Sequence, residues 1–358
     1  FYYTPPTDYL ALCTDNLSDP EIALPGENFN TILFDDGAGA KTGVGFQPDL
    51  VWLKSRGAAL AHKWTDSIRG VTKALSCNST AAESTDSTGL TAFGADGFTV
   101  GADTDYSDVT GDGMVGWNWK AGGASTVTNN DGSLASEVSV NNTAGFSIVT
   151  YTGTGDDETV GHGLSEEPEL VWVFRRTDAG YFKIISTTAG SFDFTEYFRT
   201  DVNQDYRAGN YWQDLNPGVT TAGTFTIEGN EADSSTNASG KDFVGYCWHS
   251  VEGFSKVGVY KGNGDVDGTF IYTGFRPAFI LEKRMDSSGN FFIEDSKRLG
   301  YNVDNNDLLA DTTDTEQIDD RFDILSNGFK ARSTTASSNA DGGDFFYIAF
   351  AESPFKYS

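Results

Sequence analysis

The same order of sequence elements occurs three times along the chain, and this repetition is the strongest constraint on its fold. Each copy has a first strand, a glycine-rich turn, a continuous apolar strand, a short alternating strand behind a glycine, and an aromatic closing strand. The apolar strands are residues 50–54, 170–175 and 279–283, and the closing strands are residues 115–119, 244–248 and 346–350. A period of about 110 to 120 residues is too long for a solenoid repeat and suits a β-sandwich domain.

The apolar strands run for four or five residues before a Lys or Arg closes them. Such a run is typical of a central strand that is buried on both faces. In the closing strands, large rings recur with a period of two, and Trp117 and Trp119 therefore point to one face. We expect these rings to form a wall of the sandwich core.

These patterns predict an all-β chain of three tandem antiparallel β-sandwich modules, jelly-roll-like in form, behind an extended N-terminal arm. The predicted units are an arm at 1–28, module one at 29–122, module two at 123–252 and module three at 253–358. Module two is expected to have a leading strand within residues 133–141 and a long aromatic insertion. Helical periodicity is weak, and only residues 58–75 are compatible with one short helix.

The net charge of −28 comes from 24 basic and 52 acidic residues. A surface of this sign repels phosphate backbones and anionic membranes, so we expect neither nucleic-acid binding nor membrane insertion. High solubility is one explanation of the charge, and divalent-cation binding or a salty habitat is the alternative. We find no signal peptide and no apolar run near 18 residues in length.

Cys13, Cys77 and Cys247 are too few and too far apart for a disulfide framework or a zinc motif. This usage predicts folding in a reducing cytoplasm. Cys247 lies between Tyr246 and Trp248, which is typical of a small core residue.

Several segments carry a resemblance to known proteins. They are Gly-Phe-Ser-Ile-Val-Thr-Tyr-Thr-Gly at 145–153, Val-Gly-His-Gly-Leu at 160–164, and residues 251–255, 272–277 and 347–355. They resemble a tandem β-domain family of unknown activity that occurs in tail-fibre-like proteins of aquatic tailed bacteriophages. Residues 1–17 look like the end of a SPRY-type β-sandwich domain that precedes such modules. The resemblance implies a virion appendage and no catalytic residue, and phage fibres in general imply a homotrimer.

Two copies share an Asp-x-x-Arg motif, Asp66 to Arg69 and Asp295 to Arg298, at the same distance from the proline before the apolar strand. It is either a site or a turn held by an Asx-type bond and a surface ion pair, and we favour the turn. The three histidines have no nucleophile elbow beside them. No two carboxylates stand out as a glycosidase pair, so we predict that the chain is not an enzyme.

Two Asp-rich loops are candidate calcium sites. Asp103, Asp105, Asp108 and Asp112 place oxygen ligands at alternate positions. Residues 263–268 resemble the first half of an EF-hand loop but lack the closing Glu, and a hairpin turn is the alternative. The cofactor prediction is therefore either none or Ca²⁺.

The aromatic insertion of module two is the candidate glycan-binding surface. Tyr206, Tyr211 and Trp212 stand among Asp, Asn, Arg and Gly, and this is the part most suited to exposure. Sugar faces stack on exposed rings, whereas core or inter-subunit packing is the alternative.

Together these features predict a structural component of a phage virion appendage, a tail fibre or spike, with host-surface receptor binding. The alternatives are a capsid or tail decoration or adaptor protein, a polysaccharide-degrading enzyme, and a bacterial adhesin. The expected partners are other virion proteins, further copies in a trimer, and a host cell-surface glycan.

Overall fold

The computed structural model describes residues 7, 13–35, 37–107, 111, 113–180, 183–186, 196–197, 199, 207–208, 223–227, 229, 236–298 and 306–358. The chain is almost entirely β, and its named strands pair antiparallel in several sheets. The predicted all-β class with antiparallel sandwich modules is therefore confirmed. Among the described residues, no helix has both the length and the apolar character needed to span a bilayer.

Module one pairs a larger sheet with a smaller one. Its strands are β1 Phe29–Phe34, β2 Gly39–Thr42, β3 Leu50–Ser55, β4 Lys63–Asp66, β5 Lys73–Ala74, β6 Ser84–Thr85, β7 Leu90–Gly94, β8 Gly97–Val100 and β9 Met114–Trp119. The larger sheet has the order β1-β9-β3-β4 and the smaller one β2-β8-β7, while β5 pairs with β6. A short helix, α1 Thr104–Ser107, precedes β9.

The helix considered for residues 58–75 is absent, since this described segment contains β4 and β5 instead. Trp64 and Leu75 pair across an isolated antiparallel bridge, and both side chains are buried. Residues that lie opposite each other on adjacent antiparallel strands point to the same face of the sheet. The segment between them therefore turns back on itself and does not form a helix.

Module two extends the same plan. Its strands are β10 Val127–Asn129, β11 Ser136–Asn141, β12 Phe146–Thr152, β13 Glu158–Gly161, β14 Leu170–Arg175, β15 Lys183–Ser186, β16 Glu196–Tyr197, β17 Arg207–Ala208, β18 Thr224–Ile227 and β19 Asp242–Trp248. The larger sheet has the order β10-β11-β12-β19-β14-β15, and β13 pairs with β18. The expected leading strand is β11, and β10 precedes it.

Module three follows. Its strands are β20 Ser255–Lys261, β21 Phe270–Tyr272, β22 Phe275–Arg284, β23 Phe291–Asp295, β24 Asn306–Leu309, β25 Gln317–Ile318, β26 Phe322–Leu325, β27 Gly328–Ala331 and β28 Asp344–Pro354. The larger sheet has the order β20-β28-β22-β23-β24-β25 and the smaller one β21-β27-β26. The helix α2 Ala336–Asn339 precedes β28. Three-residue 3₁₀ turns occur in the arm at Thr14–Asn16 and Pro25–Glu27, and after β28 at Phe355–Tyr357.

The three larger sheets share one topology and one register. In each, the closing strand lies between the first strand and the apolar strand: β9 between β1 and β3, β19 between β12 and β14, and β28 between β20 and β22. The same cross-strand pair recurs as Leu50 with Trp119, Leu170 with Trp248, and Phe279 with Phe350. Residues at equivalent positions of the modules can therefore be compared directly.

A glycine at the start of the small-sheet strand is required by the close approach of two backbones. A Cβ on Gly97 would lie 2.0 Å from the Lys41 carbonyl oxygen, and a Cβ on Gly328 would lie 2.0 Å from that of Ile271. No real side chain tolerates such a contact, so only glycine lets the small sheet close at this point.

Each module has a core of its own between its two sheets. In module one, Val51 and Leu53 of β3 pack with Phe98 of β8. Corresponding clusters form around Phe225 in module two and Phe329 in module three.

A further core, which we call the central core, joins the three modules through the opposite faces of their larger sheets. Its buried aromatic side chains include Trp52, Trp64, Trp117 and Trp119 of module one, Trp172, Phe174, Tyr246 and Trp248 of module two, and Phe279 and Phe350 of module three. The ring centroids of Trp52 and Trp172 are 5.9 Å apart, and those of Trp119 and Phe350 are 5.6 Å apart. The prediction that the apolar strands are buried on both faces is confirmed, because one face meets the module's small sheet and the other meets the neighbouring modules.

The placement expected for Trp117 and Trp119 was wrong in one respect. The two rings do share a face, but that face belongs to the central core and not to the interior of their own sandwich. A period of two determines which residues share a face, and it says nothing about which element covers that face.

We predict that the three modules unfold in one cooperative transition, because the central core is shared. Replacing Trp172 with Ala should cost about 3–5 kcal/mol and should lower the midpoint for all three modules together. Calorimetry checks this, with the exposed Val127→Ala as a control expected to change stability by less than about 0.5 kcal/mol. A separate transition for any module would contradict the prediction.

Candidate functional site

The Asp-x-x-Arg motif forms the same turn in two modules, and each turn begins with the aspartate at the end of β4 or β23. Oδ1 of Asp66 accepts backbone N–H bonds from Ile68 at 3.0 Å and from Arg69 at 2.8 Å. Oδ1 of Asp295 accepts the matching bonds from Lys297 and Arg298 at 3.0 and 2.9 Å. The Asx-type turn expected from the sequence is therefore present in both copies.

The first network connects modules one and two, and consists of Asp66, Arg69, Glu83, Arg176 and Tyr246. Arg69 Nε donates to Asp66 Oδ2, and the Tyr246 hydroxyl of module two donates to the same oxygen at 2.7 Å. Glu83 Oε2 accepts from Arg69 Nη1 at 3.2 Å and from Arg176 Nε of module two at 2.9 Å. The Glu83 N–H also donates to the Arg176 carbonyl at 3.0 Å.

The second network connects modules three and one, and consists of Asp295, Arg298, Glu316, Arg56 and Trp117. Arg298 Nε donates to Asp295 Oδ2 at 2.7 Å, and Trp117 Nε1 of module one donates to the same oxygen at 3.0 Å. Glu316 accepts from Arg298 Nη1 at 3.3 Å and from Arg56 Nε and Nη2 of module one at 2.9 and 2.8 Å. The Glu316 N–H donates to the Arg56 carbonyl at 2.7 Å.

Both Asp–Arg pairs are buried, so the expected surface ion pair was wrong. All four side chains of these pairs are 0% exposed. The reason is the neighbouring module, whose closing strand covers the turn and supplies a further donor. Desolvation opposes the charge of Arg69, but Asp66, Tyr246 and Glu83 outweigh it, and the pKa of this guanidinium lies above its usual value. Arg56, Arg298 and Asn306 likewise hold the pKa of Glu316 below its usual value against the effect of burial.

Module two and the closing strand of module three have different residues at the equivalent positions. The register places Ser186 where modules one and three have Asp66 and Asp295. It places Ile348 where modules one and two have Trp117 and Tyr246. Each aspartate thus accepts a bond from a donor on the closing strand of another module, Asp66 from Tyr246 and Asp295 from Trp117. Module two has a serine at the aspartate position, and module three has an aliphatic side chain at the donor position. The contacts run in one direction, from one to two and from three to one, which is the head-to-tail order of a ring.

His62 links modules one and three. Its Nδ1 accepts a bond from Trp52 Nε1 at 2.8 Å, and its Nε2 lies 2.9 Å from the Leu309 carbonyl oxygen, to which it can donate. Desolvation, reinforced by Lys54, lowers the pKa of His62 to about 3, so the ring is neutral. Sequence reasoning had no signal for this role, because Leu309 belongs to another module and the bond to Trp52 follows no local motif.

The calcium prediction falls partly on described residues. Asp103 Oδ1 accepts the N–H of Asp105 at 3.0 Å, and Asp105 Oδ2 forms an ion pair with Lys63 Nζ at 3.0 Å. Asp108 and Asp112 lie outside the described residues. In the part of the chain that the structure describes, no group of three or more His, Cys, Asp or Glu side chains is arranged to hold a metal ion. Calcium binding by Asp103, Asp105, Asp108 and Asp112 stays a prediction, and it would require Asp105 to exchange Lys63 for the ion.

The second Asp-rich loop forms the turn between β20 and β21. Asn263 Oδ1 accepts the N–H of Asp265 at 3.1 Å, and Asp265 Oδ1 accepts that of Asp267 at 2.9 Å. Asp267 also pairs with Lys330. These side chains stabilise the turn itself. It is not the hairpin turn given as the alternative, because β20 pairs with β28 and β21 pairs with β27 in a different sheet.

The glycan-binding candidates Tyr206, Tyr211 and Trp212 lie outside the described residues, and that interpretation stays a prediction. Cys247, by contrast, is fully buried in the core of module two, as its neighbours suggested.

The extent of the central core along the chain can be compared with the extent of the sequence family that matches it. The chain belongs to the family described as a domain of unknown function, DUF7483. The match spans residues 24–354. No curated protein and no solved structure matches the chain. The DUF7483 match runs through all three modules, so the family unit coincides with the assembly that the central core holds together.

For the second network of the DUF7483 chain, we predict that Arg298→Met costs about 3–5 kcal/mol, because it leaves Asp295 and Glu316 charged and buried without this cation. Urea denaturation measures the loss. Arg332→Met is the matched control, since Arg332 and Asp323 form an ion pair that is 38% and 20% exposed and should contribute about 1 kcal/mol or less. Equal losses for the two variants would contradict the role assigned to burial.

The calcium prediction is tested by thermal unfolding with added CaCl₂. A site that binds only the folded chain should add about 2.7 kcal/mol of stability at a hundredfold excess over Kd. The combined variant Asp108→Asn, Asp112→Asn should lose this gain, and Asp265→Asn should keep it. An unchanged midpoint for the unaltered chain would remove calcium from consideration.

Proposed function

We propose that this chain is a structural component of a phage virion appendage, a tail fibre or spike, and that it contributes to binding the host surface. The observation that carries the proposal is the central core, in which aromatic side chains of three modules join into one buried cluster. Such packing makes the modules a rigid block, and a rigid block is what an attachment structure requires.

The charge distribution inside the fold supports a structural role. The charged side chains of the two networks lie between modules and hold neighbouring turns in place. Carboxyls with a raised pKa also exist, but Glu282 and Glu294 are 0% and 2% exposed inside module three, where a polysaccharide cannot reach them. We therefore propose a binding or structural protein over a polysaccharide-degrading enzyme.

The virion location rests on the sequence resemblance to tail-fibre-like proteins and on the SPRY-like opening of the chain. The net charge of −28 fits a surface that stays soluble at high local concentration. The proposed partners are other virion proteins and a host glycan, the latter at Tyr206, Tyr211 and Trp212.

A capsid or tail adaptor is the second candidate, and one observation favours it. The three modules already surround a common core within one chain, so a single copy has the approximate shape that a fibre would otherwise obtain from three chains. A monomer of this shape suits a decoration or adaptor on a partner with threefold symmetry.

The test is an adsorption competition. Purified protein is added to cells of the bacterium that the phage infects, and unadsorbed phage particles are counted with and without calcium. Dose-dependent blocking is expected. The combined variant Tyr206→Ala, Tyr211→Ala, Trp212→Ala should block less, whereas Tyr272→Ala, at an aromatic residue that is 57% exposed in module three, should block fully.

The mass of the particle in solution separates the two candidates. A trimer that blocks adsorption is expected for the fibre or spike. A folded monomer that does not block adsorption would contradict receptor binding and favour the adaptor.

A further inference from the structure

Module three has a carboxyl cluster inside its sandwich, formed by Glu282, Glu294 and Asp307. Glu294 of β23 pairs with Ile280 of β22, a residue of the module core. Glu282 lies two residues after Ile280 on β22, so its side chain points to the same face of the sheet. The pairing of Ile293 with Leu308 places Asp307 beside Glu294 on the next strand. The three residues are 0%, 2% and 0% exposed, so the cluster is enclosed between the two sheets.

Module one shows that the fold does not require this cluster. The register places Leu53 and Thr65 at the positions of Glu282 and Glu294. The pairing of Trp64 with Leu75, which matches that of Ile293 with Leu308, places Ala74 at the position of Asp307. These side chains carry no charge, and the core around Leu53 is apolar. Of modules one and three, which can be compared strand by strand, only module three has these acids.

The cluster has more acid than its neighbours can balance. Arg321, at the entry to β26, donates through Nε to Asp307 Oδ2 at 2.5 Å, and its guanidinium lies 3.7 Å above the ring of Phe292. The Tyr260 hydroxyl lies 3.4 Å from Glu282 Oε1. The other oxygen of Glu282 and both oxygens of Glu294 accept no hydrogen bond from any residue in the described part of the chain.

Electrostatics decide which carboxyls carry a charge. An unpaired carboxylate in such an interior is strongly unfavourable and takes up a proton instead. Desolvation raises the pKa of Glu282 to about 8, although Arg321 and Lys283 act in the opposite direction. Desolvation, together with Asp307, raises the pKa of Glu294 well above its usual value against the effects of Arg321 and Arg298. Asp319 also faces Asp307, and Tyr347 of β28 pairs across from Glu282.

We propose that the carboxyl cluster is a proton-dependent latch between the two sheets of module three. While Glu282 and Glu294 hold protons, the small sheet β21-β27-β26 stays packed on the cluster through Arg321 and Phe322. When the protons leave, two further negative charges face Asp307 and the small sheet is released. The larger sheet stays in place because its other face belongs to the central core.

The sign of the pH dependence follows from the raised values. An acid whose pKa is higher in the folded state than in the unfolded state stabilises the fold below its unfolded pKa, and this contribution is lost as the pH rises through the folded pKa. The loss should therefore begin above about pH 5 and become large between pH 7 and 9. The equilibrium constant for opening should rise about tenfold per pH unit for each proton released.

Hydrogen–deuterium exchange of the full chain between pH 6 and 9, corrected for the intrinsic rate, tests the latch. Residues 322–331 should lose protection as the pH rises, and the equivalent segment 90–100 of module one should keep it. Equal pH dependence of the two segments would overturn the proposal without any variant.

Variants make the test specific to the two acids. Glu294→Gln should flatten the pH dependence of residues 322–331, and Glu282→Leu, which introduces the module one residue, should do the same. Glu137→Gln is the control and should leave the dependence unchanged, because Glu137 is a half-buried acid of module two whose oxygens accept bonds from Thr126 and Thr128. If either cluster variant folds and retains the full pH dependence of the unaltered chain, the latch is wrong.

Discussion

The packing of three sheet faces against one another is the interaction on which the rest of this structure depends. A sandwich module normally leaves the outer face of its larger sheet in water, and that face is then polar. Here that face carries large aromatic rings in each copy, with tryptophan in modules one and two and phenylalanine in module three. No module could expose such a face and remain soluble. The modules therefore need one another, and the family match over residues 24–354 follows the same limits.

Polar groups at the edge of the central core are removed from water, and each therefore needs hydrogen-bond partners within the protein. Asp66 and Asp295 lie beside the central core. Each accepts bonds from two backbone N–H groups, from an arginine, and from an aromatic side chain of another module, the Tyr246 hydroxyl or the Trp117 indole N–H. Removing one partner from such a set lowers the free energy of unfolding strongly, because the remaining charges stay buried without a counter-charge. The networks thus determine which surfaces can pair, while the apolar rings supply most of the favourable free energy.

Much of the fold could be predicted from the sequence because it depends on local patterns. The repeat, the apolar strands and the glycines before the small-sheet strands all follow from spacing along one chain. What covers the ring of Trp117, and whether Arg69 is buried, depend on a neighbouring module. No local sequence pattern contains that information. Residues 58–75 were ambiguous for a related reason, since the bridge between Trp64 and Leu75 is a pairing between two strands that the period of the segment does not reveal. For the candidate site, Asp103 and Asp105 could be named from composition, but the ion pair between Asp105 and Lys63 could not.

Because the three copies lie in one polypeptide, each can differ in sequence from the other two, which identical separate chains cannot do. In a symmetric oligomer every substitution appears at all equivalent places at once, so an acid that suits one subunit burdens the others. Here a change appears once. Module three has Glu282 and Glu294 at positions where module one has the uncharged Leu53 and Thr65. Ser186 stands at the position that an aspartate occupies in the other two modules. Covalent linkage thus lets the copies specialise while the surrounding copies preserve the architecture.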